Sequence, residues 1–347
     1  MSDVPVVDDG EAGDAAATAP IVGVVGAGVT GTAAGLVLQA RGVRVAWADS
    51  ERGVATRAAT RIGGVAVGSA EEVGGADVVV LASPGPHAAL AAALLGNGVQ
   101  VVSVSDEPGD VAELLSLDGI ASRNSVSLVV AAALAPGLSG LLAAHLAGQL
   151  AVVDEIHVAM HGTGGPACAR QHHSALGSRS LGWHDGEWVE RPGGSGRELC
   201  WFPEPIGAVD CYRAAVADPM VLHEAFPSAR RISARVSATR RDRLTARLPM
   251  LAPPRRHGDV GGIRVEVRGS VDGGRRVTHV AGASGRAGDI AGKVAAVCAL
   301  AAALGRTSDG VHVLGADAEL SEWLLAQLVT HGVTLLEFTG VPRATGW

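Results

Sequence analysis

Three glycines carry the first chemistry legible in this sequence. Gly26, Gly28 and Gly31 form a G-x-G-x-x-G pattern, with Val29 and Thr30 inside it, between the apolar run Ile21–Val25 and a helix-forming stretch. In that context the first glycine permits a tight strand-to-helix turn and the second lets a pyrophosphate approach the backbone. The third lets helix and strand pack closely, while helix N–H groups face the phosphates. A second apolar run, Val43–Ala48, ends in Asp49, about 20 residues past the glycines, where a ribose-binding acid belongs. A carboxylate there accepts hydrogen bonds from a ribose 2′-OH and repels a 2′-phosphate, which favours NAD. Ser50 and Arg52 follow at once, and an arginine in that loop could pair with a 2′-phosphate, so NADP stays open. As a solvated loop charge, Arg52 would decide nothing.

Two further strand ends and one loop offer polar groups. "ASPGPH" (Ala82–His87) places Ala82, Ser83 and Pro84 where small residues would admit the cofactor's pyrophosphate–ribose arm. "SDEPGD" places Asp106 where a nicotinamide or substrate contact could form; as turn chemistry, neither stretch needs a ligand. Later, Gly162, Thr163, Gly164 and Gly165 precede Pro166, which suits the first turn of a helix. Loop N–H groups at a helix N-terminus make an anion site. His161 borders that loop and titrates near neutral pH. Arg170, one turn inside the helix, could grip a carboxylate bidentately, or stand on the surface. His157, His172, His173 and Cys168 lie close by in sequence but show none of the usual ligand spacings, so no metal is expected.

These residues need a scaffold of alternating strands and helices. After Asp49 apolar pulses recur at Val65–Val67, Asp77–Leu81, Gln100–Ser105 and Ser127–Ala132, with Ala- and Leu-rich helical stretches between most of them. That rhythm predicts an α/β fold, a Rossmann-type doubly wound parallel sheet with its ligand beyond the carboxyl ends of the strands. From Val153 the pattern changes to strands and hairpin turns, among them "HDGEW", "RPGGSGRE" and "SVDGGRR", which predicts a second α+β domain with a mixed, largely antiparallel sheet. Ile263–Ser270 should pair with Arg276–Ala283, and Asp289–Leu304 reads as a packed helix. The expected organisation is an acidic disordered tail over 1–20, a dinucleotide domain over 21–135 and a substrate and dimerisation domain over 136–305. A strand–helix–strand segment over 306–347 belongs to either domain.

Composition removes several partners. A net charge of −7 with 3% aromatic residues offers neither the basic field nor the stacking platforms of a nucleic-acid binder. Asn124 to Val153 carries no formal charge and is long enough to span a bilayer, but "LAPGLSG" divides it into a buried strand and a helix, Leu138–Leu150. No membrane span is expected. Four cysteines without a paired spacing, and an N-terminus without a basic start or apolar stretch, fit reduced thiols in the cytoplasm. The arginines between Arg230 and Arg247 read as a charged outer strand face and turn, and Cys200 and Cys211 as small buried hydrophobes.

The order of "GVVGAGVTGTAAG", "ADVVVLASPGP", "SDEP" and "APGLSGLLAAHLA" resembles the saccharopine dehydrogenase-like NAD(P)-binding oxidoreductases, and more distantly dihydrodipicolinate reductase. The likeness is clearest over Ile21–Leu146. It implies a pyridine-nucleotide domain, a substrate domain on a mixed sheet, and chemistry at the carbon–nitrogen bond of an amino acid or imine. Dihydrodipicolinate reductase is similar in holding a substrate carboxylate on a small-residue loop before a helix, but its paired histidines ahead of a lysine are missing here. On this resemblance His161 would be the proton donor of imine reduction and Arg170 a carboxylate partner, in a homodimer acting on a small molecule. A non-catalytic NAD(P)-binding sensor or scaffold, and a carbonyl-reducing dehydrogenase on the same fold, are the competing expectations.

Overall fold

A computed structural model describes residues 19–250 and 260–338. The expected acidic tail therefore lies almost wholly outside the described residues, as do residues 339–347 of the last segment. The first sheet is built from β1 (Ile21–Val25), α1 (Val29–Ala40), β2 (Arg44–Ala48), α2 (Arg52–Ile62), β3 (Val65–Ala66), a 3-10 turn (Glu71–Gly75), β4 (Val78–Leu81), α3 (Ala88–Gly96), β5 (Gln100–Ser103), α4 (Pro108–Leu115), α5 (Asp118–Arg123) and β6 (Ser127–Val130). There follow α6 (Leu138–Ala147), β7 (Val152–His161), α7 (Pro166–Gly177), β8 (Arg179–His184), β9 (Glu187–Pro192), β10 (Glu198–Phe202), β11 (Gly207–Arg213), α8 (Asp218–Ala225), β12 (Arg231–Ser237), α9 (Arg240–Thr245), β13 (Val260–Ser270) and β14 (Arg276–Arg286). The chain closes with α10 (Ala287–Ala303), β15 (Gly310–Val313), α11 (Ala318–Thr330) and β16 (Leu335–Glu337).

The first sheet has the order β15-β6-β5-β4-β1-β2-β3, parallel throughout. The order reverses beside β1, and a doubly wound sheet binds its ligand at such a switch point. Its central strands are apolar on both faces because helices cover both: every residue of β4 is buried. Close packing of α1 depends on glycine. A Cβ on Gly35 would lie 2.1 Å from the Trp47 ring, and that indole is fixed by its own hydrogen bond to the Gly63 carbonyl at 2.8 Å.

The second sheet runs β10-β11-β12-β7-β13-β14-β16, with β8 and β9 attached through β12. It is mixed, since β12 and β7 are parallel while the other neighbours are antiparallel. Alternation along the strands separates its two faces. Ile156, Val158 and Met160 of β7, Ile232, Ala234 and Val236 of β12, and Ile263, Val265 and Val267 of β13 enter the main core with α6 and α10. The other face carries His157, His161, Ser233, Arg235 and Arg268, and β10 and β11 curl over one end of it. There Cys200, Phe202 and Cys211 close on Ala159, so both thiols are buried, as their sequence setting suggested.

The last segment serves both sheets. β15 extends the parallel sheet beside β6, and β16 pairs with β14. α10 joins the two bodies, for it follows β14 directly and lies on α1. A Cβ on Gly292 would stand 2.3 Å from the Thr30 carbonyl oxygen. The uncharged run after Asn124 resolves into β6 and α6, with a left-handed Gly137 (φ +128°) between them. No helix among the described residues is long and apolar enough to cross a membrane.

Candidate functional site

The glycine loop takes the shape its spacing implied. Gly26 has φ +97°, and a Cβ on it would come within 2.4 Å of the Ser83 nitrogen, so β1 and the loop after β4 meet backbone to backbone. A Cβ on Gly31 would fall 1.8 Å from the Gly26 carbonyl oxygen, which forces α1 onto its strand. Gly28 differs: a Cβ there would meet nothing within 4 Å. The second glycine thus faces open space at the start of α1, whose N-terminus has no side-chain cap and no acid in its first turn. That leaves N–H groups and a favourable dipole for a phosphate. Asp49 stands at the end of β2 and ties down the same loop. Its Oδ2 accepts the Ala27 N–H at 2.8 Å and its Oδ1 accepts the Glu51 N–H at 2.9 Å. The donor set, the open Gly28 and the acid at the strand end fit a dinucleotide. Ser50 and Arg52 are exposed at the rim.

Ser83 is positioned from behind. His87 is buried, with Nε2 2.8 Å from the Ser83 carbonyl oxygen and Nδ1 2.8 Å from Ser103 Oγ. Burial holds its pKa below the ordinary histidine value, so the ring is neutral, donating to Ser83 and accepting from Ser103. The backbone N–H groups of His87 and Ala88 donate in turn to Asp110 Oδ1.

The Gly162–Gly165 loop lies against the cofactor loop. Cβ atoms on Gly164 and Gly165 would come within 3.8 Å of Thr30 Oγ1 and 3.9 Å of Val29 Cγ2, and Gly164 is in close contact with Gly288 of α10. Residues about 135 apart in sequence, each proposed for a ligand, therefore stand side by side. Gly165 caps α7 without a side-chain hydrogen bond, and Pro166 occupies its first turn.

From α7, Cys168 and His172 reach Asp106 at the end of β5. His172 Nε2 lies 3.0 Å from Asp106 Oδ2 and 3.7 Å from Cys168 Sγ. Burial opposes charge on the imidazole, but the Cys168 sulfur and the Asp106 carboxylate outweigh it and hold the pKa of His172 well above the ordinary value. Asp106 and Cys168 are half-buried and form the accessible edge, while His172 sits behind them. Asp218, in the first turn of α8, adds a fourth group. Burial and then the charge of Asp106 push its carboxyl up to about 7, against Ser139 and His172. Its Oδ1 has no hydrogen-bond partner among the described residues.

His161 ends β7, next to the loop. Its ring is on the sheet face away from the main core, with Nδ1 2.9 Å from Ser237 Oγ and the ring 5.9 Å from that of Phe202. Arg170 is exposed, and two positions from His172 it points to a different side of α7. The structure joins Asp106 to His172 and Cys168 of α7, the helix that follows the Gly162–Gly165 loop, while His161 meets Ser237 and Arg170 is exposed. The sequence did contain a signal for the missing group: Cys168 and His172 are four apart and share one helix face. Their partner Asp106 follows β5 of the first sheet, which no local spacing reveals. Asp106, Cys168 and His172 have potential ligand atoms within 4.8 Å of one another.

No protein-family model matches the sequence, and no curated protein matches it. Among solved structures the chain is similar to saccharopine dehydrogenase (L-Glu forming) from Saccharomyces cerevisiae, with 13% identity, 92% of this chain and 100% of that chain covered, and a TM-score of 0.68. GenD2 from gentamicin A biosynthesis, in complex with NAD, is 18% identical over 97% of this chain and 100% of its own, with a TM-score of 0.48. A myo-inositol dehydrogenase from Corynebacterium glutamicum is 13% identical over 92% and 99%, with a TM-score of 0.47. The first of these shows a shared fold: a Rossmann-type parallel sheet joined to a second, mixed sheet, in the arrangement that the sequence resemblance implied.

Proposed function

We propose that the protein is an NAD(P)-dependent oxidoreductase that moves hydride between nicotinamide and the carbon of a carboxylate-bearing amine or imine. The observation that carries this reading is the open Gly28 at the switch point, with the Gly162–Gly165 loop against the cofactor loop and α7 running from that loop to the Asp106–His172–Cys168 cluster. A bound nicotinamide would supply the hydride acceptor or donor. The fold neighbour named for forming L-Glu supports an amino-acid-type substrate.

The chain's own residues have separable tasks in this proposal. Gly28 and the first turn of α1 hold the pyrophosphate, and Asp49 accepts from the ribose, which favours NAD. His87 fixes the Ser83 carbonyl at the cofactor's edge. The N–H groups of the Gly162–Gly165 loop hold the substrate's carboxylate. His172 stores the proton, and Asp106 or Cys168, at the accessible edge, passes it to or from the substrate nitrogen. Lysine and tyrosine are scarce. Lys293 is the sole lysine and lies on α10 near Gly332, and the sole tyrosine, Tyr212, is buried beneath the Arg243 guanidinium.

Titration with NADH and NADPH, followed by nicotinamide fluorescence, tests the cofactor. Wild-type protein should bind, and Gly28→Val should lose binding by about 100-fold or more while keeping its fold, because the side chain fills the space of the pyrophosphate. Equal binding by both proteins would refute the assignment. Turnover of NAD(P)H with pairs of 2-keto acid and amine tests the reaction, and binding without turnover of any pair would favour a sensor.

A further inference from the structure

Two arginines from the basic stretch 230–247 do more than solvate a strand. Arg231 and Arg235 project from β12 on the face of the second sheet away from the main core. They meet Arg191 of β9, Arg213 of β11 and Arg268 of β13 around a cavity of about 250 Å³. Among the described residues only one carboxylate, Glu198, lines it, although the chain as a whole carries a net charge of −7. Composition therefore does not account for the cluster.

The ion pairs leave cationic charge over. Arg235 pairs with Glu198 at 3.0 Å, and Arg268 with Glu155 and Glu266, while Arg231 reaches Glu155 only at 4.0 Å. Among the described residues no salt bridge holds Arg191 or Arg213. Arg213 feels the crowding: burial, then Arg235 and Arg191, hold its pKa below the ordinary arginine range. Like charges confined in a concave site focus the field and draw counter-anions. Guanidinium forks match carboxylate and phosphate oxygens in bidentate geometry. The side chain of Val189 adds an apolar wall, and the volume admits a small molecule rather than a chain.

We propose that this cavity binds a small organic anion with at least two acidic groups, at a site separate from the cofactor cleft. Separation follows from the sheet: His157 brings β7 to the cavity wall on one face, whereas the cofactor loop is met by residues 164 and 165, beyond the strand's end.

Isothermal titration of the full chain at physiological salt, with pyrophosphate, citrate and acetate as probes, tests the site. Pyrophosphate or citrate should bind saturably, the better of the two identifying a phosphate or polycarboxylate ligand, and acetate should bind far more weakly. Arg191→Ala and Arg213→Ala should each weaken binding by about tenfold or more, since each removes a charge-assisted contact. Arg191 is exposed, so its loss should not disturb folding. Arg230→Ala removes a guanidinium that pairs outside the cavity with Asp185 and should leave the affinity for the polyanion unchanged, as should saturating NADH. Binding of neither polyanion, equally tight acetate, equal losses in Arg230→Ala, or displacement of the probe by NADH would each overturn the proposal. The last outcome would instead place the anion on the glycine loop.

Discussion

At the scale of single residues, the proposed chemistry rests on where protons sit. His172 keeps its charge above pH 6.5 because Cys168 and Asp106 outweigh its burial. If His172 is the stored acid, imine reduction should fall as pH rises through that elevated pKa, and the reverse oxidation should gain. Asp106→Asn removes one support of the imidazolium, so the alkaline limb of kcat should move to lower pH. His172→Ala should lower kcat by about 100-fold or more. A pH–rate profile that keeps its limb in Asp106→Asn would remove His172 from the mechanism.

Asp218 gives a stability prediction of opposite sign to an ordinary ion-paired carboxylate. Its folded pKa is about 7 against 3.8 for the free side chain, so between these values the native state holds a proton that the unfolded chain releases. Its contribution is therefore most favourable below about pH 4, declines as pH rises to about 7, and is constant above. Three pKa units correspond to a loss on the order of 4 kcal/mol. Asp218→Asn should escape it, and denaturant melts should show the variant gaining on wild type between pH 5 and pH 8. A constant difference across that range would contradict the burial argument.

At the scale of elements, α10 is the joint between the two sheets. Gly292 lets it approach α1 so closely that a Cβ would meet the Thr30 carbonyl oxygen at 2.3 Å and Ala33 Cβ at 2.6 Å. Both helices are buried, so neither can move aside without opening the core. Gly292→Val should destabilise by about 1–3 kcal/mol or more, the range for overpacking. Because Thr30 belongs to the cofactor loop, the same variant should also bind NADH less tightly. Thermal melts and cofactor titration together check this, and a loss of stability with unchanged affinity would show that α10 does not position the loop.

At the scale of the whole molecule, the proposed cofactor should report itself as stability, since it binds only where the two sheets bring their loops together. NADH at about 100 times its Kd should stabilise the folded chain by about 2.7 kcal/mol, and this gain should vanish in Gly28→Val. The proposed proton path uses hydrogen-bonded side chains alone, so prolonged dialysis against a chelator should leave both the melt and the turnover unchanged. A loss restored by a divalent metal would reassign Asp106, Cys168 and His172.

The sequence by itself determined what is local or periodic. Apolar pulses alternating with helical stretches require a covered parallel sheet, and the spacing of Gly26, Gly28, Gly31 and Asp49 describes a turn, an opening and an acid that interactions within some 30 residues can build. The loop at residues 162–165 was legible for the same reason, because a run of small residues before a proline-started helix needs no distant partner. Only the tertiary structure decided which histidine meets Asp106. His161 borders the loop in sequence and strand alternation turns it to the sheet face away from the main core, whereas His172 lies a further 11 positions on and is carried by α7 to an aspartate 66 residues away. The ends of β15 and β16, and the five arginines of the cavity, were hidden for the same reason. Each depends on pairing between strands far apart in sequence, and no local pattern encodes which strand becomes a neighbour.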